Sequence, residues 1–141
     1  MGHFDKRSNR IVQTLPGALG GSFDTPAFFD NTIYYAGVND FVKSFAFKNG
    51  LLVQTGQSAN TIPWPGASPV SSSDGTANGI VWVISDSNQM IAYDATNLSN
   101  VLWSAPLPDY SHFAIPTITD DGHVFAGVGS TLVAFGLSQA S

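Results

Sequence analysis

One unit of structure is written three times along this chain, and that repetition restricts the fold more than any other property of the sequence. The stretches Thr25-Pro-Ala-Phe-Phe-Asp-Asn-Thr-Ile-Tyr-Tyr-Ala-Gly37, Ser68-Pro-Val-Ser-Ser72 and Ile115-Pro-Thr-Ile-Thr-Asp-Asp-Gly-His-Val-Phe-Ala-Gly127 align on Pro26, Pro69 and Pro116, at intervals of 43 and 47 residues. A repeat of that period is one supersecondary unit that buries its apolar face against its neighbours.

Each copy reads as strands joined by turns. A short strand after the proline (27–29, 70–72, 117–119) runs into Asp30-Asn31, Asp74-Gly75 or Asp120-Asp121-Gly122, residue types that tolerate positive φ. The next strand is aromatic and β-branched (32–36, 80–84, 123–126). A polar turn then leads to a third strand that alternates with period two (42–47, 90–94, 132–135). A fourth strand follows in the first two copies (51–55, 100–104), whereas the third copy has none. Residues 10–15, Arg-Ile-Val-Gln-Thr-Leu, match Leu51-Leu-Val-Gln-Thr55 and supply an outer strand without a blade of its own. The expected fold is therefore all-β: about three four-stranded antiparallel propeller blades, spanning 25–55, 68–104 and a partial 115–137, with tails at 1–9 and 138–141.

Composition agrees. Charged residues make up only 11% of the 141, and all ten acidic residues are Asp, a turn former, rather than Glu, a helix former. A net charge of −5 with five Lys and Arg leaves no basic stripe for a phosphate backbone, so nucleic acid and anionic membrane are poor partners. No apolar run reaches the ~18 residues of a membrane span. The first residues have no apolar signal-peptide core, which reads as cytoplasmic. There is no cysteine for a disulfide or a thiolate nucleophile.

The segment Ala92-Tyr-Asp-Ala-Thr-Asn-Leu-Ser-Asn-Val-Leu-Trp103 resembles the tryptophan-docking motif of quinoprotein-type propeller repeats. In that motif a small residue and an Asp on the third strand precede a turn and a Trp on the fourth. The first copy departs from it, with Phe47 at the Asp position and Gln54 near the Trp; the third has Gly136 at the Asp position. From about residue 10 onward the chain looks like the C-terminal portion of a pyrroloquinoline-quinone-like bacterial propeller, a family often periplasmic or secreted. The resemblance implies that Trp103 packs against a neighbouring blade. Quinone-dependent members use paired cysteines, a calcium-binding set and a catalytic Asp. With no Cys and no Glu here, the quinone is not expected, and no cofactor residue is carried across.

Three blades do not close a ring, because propellers typically have about four to eight. Two copies about a twofold axis make six, and residues 10–15 of each chain then complete the last blade of the other. The expected partner is thus a second copy of the chain; a fragment of a longer gene is the competing explanation.

Propeller ligands generally sit at the channel mouth, on connections between blades and on turns between second and third strands. The connections (16–25, 56–68, 106–115) carry the candidate ligand-binding residues Asp24, Asn60, Trp64 and Tyr110. Trp64, between Pro63 and Pro65, suits stacking on a sugar or another flat ligand, or packing between blades. Asp109-Tyr-Ser-His112 places a carboxylate, a phenol, a hydroxyl and an imidazole within four positions, so His112 and Asp109 are the catalytic candidates; plain surface is the alternative. Asp40, Asp86 and Asn88 are candidate calcium ligands through hard oxygens, although turn chemistry explains them equally. His123, in a turn leading to a strand, reads as structural. Two functions follow: a non-catalytic propeller scaffold binding a ligand or protein at its channel mouth, or a calcium-assisted, lactonase-like hydrolase with its site in the channel.

Overall fold

The computed structural model describes residues 11–109 and 112–136. Within them the chain is all-β, three antiparallel sheets without a helix. The first sheet holds β1 (Ala27–Phe29), β2 (Thr32–Ala36), β3 (Asp40–Lys48) and β4 (Leu51–Ile62). The second holds β5 (Val70–Asp74), β6 (Ala77–Ser85), β7 (Gln89–Asp94) and β8 (Asn97–Pro106). The third holds β9 (Thr117–Ile118), β10 (Val124–Val128) and β11 (Thr131–Phe135). Each sheet is a meander in chain order, because every connection inside it is a tight turn. Asp30 and Asn31 (φ 41° and 60°), Asn49 and Gly50 (φ 51° and 79°) and Asn88 (φ 57°) supply the positive φ these turns require.

The strands follow the expected pattern, with two differences. β4 and β8 run several residues further than their apolar stretches suggest, so the connections between sheets shrink to 63–69 and 107–116. Of the outer strand expected over 10–15, residue 10 lies outside the described residues and 11–15 join no sheet. They lie beside β4 instead, where the Gln13 amide donates to the Leu52 carbonyl (2.9 Å) and accepts from the Leu52 N–H (2.7 Å), imitating one rung of a ladder with a side chain.

The sheets stack face to face, first strand beside first strand: the Ser71 hydroxyl of β5 donates to the Phe28 carbonyl of β1, and β4 lies against β8. Strand alternation sends odd residues of the second sheet one way and even residues the other. Val81, Val83 and Tyr93 meet Tyr34, Ala36 and Val42 of the first sheet in one apolar layer. Ile84 and Met90 meet Val124, Ala126 and Val128 of the third in another. The middle sheet is thus buried on both faces, which is why so few of its residues carry charge. The Tyr34 hydroxyl crosses the first layer and donates to the Ala95 carbonyl (3.0 Å). Trp103 stands edge-on to Phe135 of the third sheet, ring centres 5.1 Å apart, and to Trp82 at 6.1 Å.

Pairing registers define which positions of the three copies are equivalent. Ala27 pairs with Tyr34, Val70 with Trp82 and Thr117 with Phe125, so Tyr34, Trp82 and Phe125 occupy one site of the repeat. Ala36, Ile84 and Gly127 pair with Val42, Met90 and Leu132 and define a second. This corrects the sequence alignment, which sets Ala36-Gly37 against Ala126-Gly127. The third copy turns through three residues, 120–122, closed by the Thr119 N–H on the His123 carbonyl, where the first turns through two. One extra residue moves every later side chain to the opposite face.

Candidate functional site

The three connections that lead into the first strands, residues 16–26, 63–69 and 107–116, emerge at one end of the stack. Backbone bonds to the turns between second and third strands hold them there. Val38 N–H donates to Gly21, Ala67 N–H to Ala36 and Leu107 N–H to Asn88. The third connection also meets the β10–β11 turn, because the Asp109 carboxylate rests against Gly129 so closely that a Cβ there would have to displace it.

This end carries a chain of aromatic rings. Trp64 meets His112 edge-on with ring centres 4.8 Å apart; His112 lies 5.9 Å from Phe113, which meets Phe23 at 6.4 Å. One ring comes from each of the first two connections and two from the third. Phe23, Trp64 and Phe113 are 66, 51 and 58% exposed, although fully burying a side chain such as Phe is worth ~1.5–3 kcal/mol over leaving it in water. Phe113 also holds φ at 62°, a left-handed backbone that is rare for a bulky residue and costs roughly 1–3 kcal/mol. Half-buried Asp86 lies within electrostatic range of the same histidine. Burial pushes its carboxyl above the ordinary carboxylate range, and charge on His112 opposes that shift.

Of the candidate ligand-binding residues, Trp64 lies in this cluster. Asp24 shapes the connection below it, accepting from the Ala36 N–H (3.2 Å) and from the Ser22 hydroxyl. Asn60 is not on a connection at all: β4 extends past it, and it lines a shallow cavity with Ile62, Ser85 and Gln89 between the first two sheets. Tyr110 lies outside the described residues. Of the catalytic candidates, His112 meets Trp64 while Asp109 packs on Gly129. Phe23 and Phe113 had no sequence motif to mark them; the one signal was a large aromatic inside a polar, glycine-rich or proline-flanked connection.

The calcium candidates have work in the fold. Asn88 supplies a positive-φ turn and its carbonyl accepts from Leu107 (2.8 Å). Asp40 accepts from the Gly20 N–H (2.8 Å), the Phe41 N–H (2.8 Å) and the Lys43 ammonium (2.7 Å). Asp121 bonds Thr119 and His123 across its own turn, and its carboxyl falls to about 2, chiefly through the Thr119 hydroxyl and then through His123. His123 is therefore a turn residue, as read from the sequence. Among the described residues no three His, Asp or Glu side chains are grouped to hold a metal ion.

Asp40 yields a pH prediction. Burial works to raise its carboxyl, but the bonds from Lys43, Gly20 and Phe41 together outweigh it and hold the group below its ordinary 3.8. A carboxylate depressed in the fold stabilises it above the unfolded value, and that contribution is lost as pH falls through the folded value. Asp40→Asn is expected to cost about 2 kcal/mol at neutral pH. Urea titrations of parent and variant should show the gap constant above pH 3.8 and closing below it.

No family model and no curated protein matches this sequence.

Proposed function

We propose that the three sheets are consecutive blades of a propeller-type ring closed by two copies of the chain, and that the ring is a non-catalytic scaffold binding a ligand at the mouth of its channel. The observation that carries this reading is the convergence of exposed aromatic rings from three successive connections, one of them on a strained backbone. A surface that leaves large rings in water at one spot, with the backbone bent to do so, is a surface organised for contact. Trp64 offers a face for stacking, His112 a nitrogen donor and acceptor, and Asp86 a carboxylate for a hydroxyl or a cation. With a net charge of −5, the chain favours a neutral or cationic ring-shaped ligand over an anionic one.

The test is a titration of the full chain with a neutral disaccharide and with an aromatic ammonium, read by tryptophan fluorescence and by calorimetry. Binding of either, weakened at least roughly ten-fold by Trp64→Ala with thermal stability retained, supports the reading. Stability is expected to hold because Trp64 is half-exposed. Binding that ignores the substitution, or no binding of either probe, overturns it.

A further inference from the structure

The outward face of the third sheet repeats a face that the chain buries twice. Val42 of the first sheet and Met90 of the second are 0% exposed, each pressed against the next sheet; Leu132, at the same site of the repeat, is 73% exposed. The neighbouring sites agree. Ser44 and Ala92 are buried where Ala134 is exposed, and Ala36 and Ile84 are buried where Gly127 is exposed. None of the exposed set is charged, and among the described residues no strand pairs with the outer edge of β11, where β4 and β8 fill the corresponding places in the other sheets.

The face complementary to this one is present at the other end of the stack. Val81, Val83 and Tyr93 receive the first sheet, and register makes their equivalents Ile33, Tyr35 and Phe45 of the first sheet itself. Among the described residues that face is covered by residues 13–19, which bury Phe45 and leave a cavity of about 360 Å³ against Tyr35, Phe45 and Leu52. The charged residue there, Lys43, is turned to Asp40 and the Ala18 carbonyl and so leaves no unpaired cation to bury. Residues 11–15 lie beside β4 as β4 lies beside β8, the place an outer strand of a preceding sheet would take, with Ile11 and Val12 exposed and in no ladder.

We propose that the third sheet of one copy stacks on the first sheet of a second copy, and that residues 11–15 of the second copy pair with the β11 edge of the first as a fourth strand. The contact continues the interface already made twice inside the chain. Formed reciprocally, it closes on itself after two copies and removes both open edges. It rests on the blade reading above but not on the ligand: mass reports on the interface and the Trp64 titration on the mouth, so either can fail without the other.

Sedimentation velocity and light scattering of the full chain at micromolar concentration test it. The expected mass is twice the 14.9 kDa of one chain. Leu132→Asp, which buries a carboxylate at both contacts, should weaken association by at least roughly a hundred-fold with an unchanged circular dichroism spectrum. Val12→Pro, which removes a strand N–H from an exposed residue, should weaken it at least roughly ten-fold. Val101→Asp, on half-exposed β8, should leave the dimer intact. A parent chain that stays monomeric, a mass that grows without limit, or a dimer indifferent to both Leu132→Asp and Val12→Pro overturns the proposal.

Discussion

Met90→Ala is expected to lower the free energy of unfolding by about 3 kcal/mol. The Met90 side chain is fully buried in the layer between the second and third sheets, against Ile84, Leu107 and Val124. Its truncation loses the transfer free energy of the removed atoms and leaves a cavity that two stacked sheets, held by their own ladders, can fill only in part. For a chain of this size, whose whole stability is on the order of 5–15 kcal/mol, that is a large share. Urea unfolding should show a lower midpoint at unchanged slope. A loss below about 1 kcal/mol would mean that the second and third sheets are not packed on one another. The same substitution reads the repeat logic, because Leu132 at the equivalent site carries no such burden within one chain.

The strands and their turns were legible because each carries a local cause. An aromatic, β-branched run marks 80–84 as sheet and alternation marks 90–94, and Asp30-Asn31, Asn49-Gly50 and Asn88 mark the hairpins by their tolerance of positive φ. Strand ends were less legible, since 56–62 and 97–99 join ladders through backbone groups that any residue provides, and the residue types around Asn60 suit a loop equally. The third copy shows the sharper limit. Its Ala126-Gly127 matches Ala36-Gly37 in letters, yet the extra residue in the turn before it reverses which face those letters serve, and only the register of Thr117 on Phe125 reveals it. The mouth was half legible. Trp64 and His112 stand out as residue types, but their meeting depends on two connections 48 residues apart being carried to one end by separate sheets. Phe23 and Phe113 carry no such mark, because an exposed aromatic and a buried one are the same letter.

Gly66→Ala is expected to cost about 3 kcal/mol and to weaken the Trp64 titration with it. Gly66 holds φ at +90°, where an alanine pays roughly 1–2 kcal/mol for its Cβ. That Cβ would also lie 2.6 Å from the Ala36 carbonyl oxygen and 3.2 Å from the Gly37 carbonyl carbon, backbone atoms that cannot swing aside as a side chain can. The same carbonyl accepts from the Ala67 N–H (2.9 Å), and the Gly66 N–H closes the turn on Pro63 (2.8 Å), so any displacement breaks the seat of the connection that carries Trp64. Gly50→Ala provides the comparison: φ is +79° with nothing within 4 Å of the new Cβ, so it should lose about 1 kcal/mol and leave the titration unchanged. Thermal unfolding of both variants, followed by the fluorescence titration at a temperature where each is folded, separates strain from contact. Equal losses in the two would show that the 63–69 connection is not seated on Ala36, and the convergence of Trp64 on His112 would then need another support.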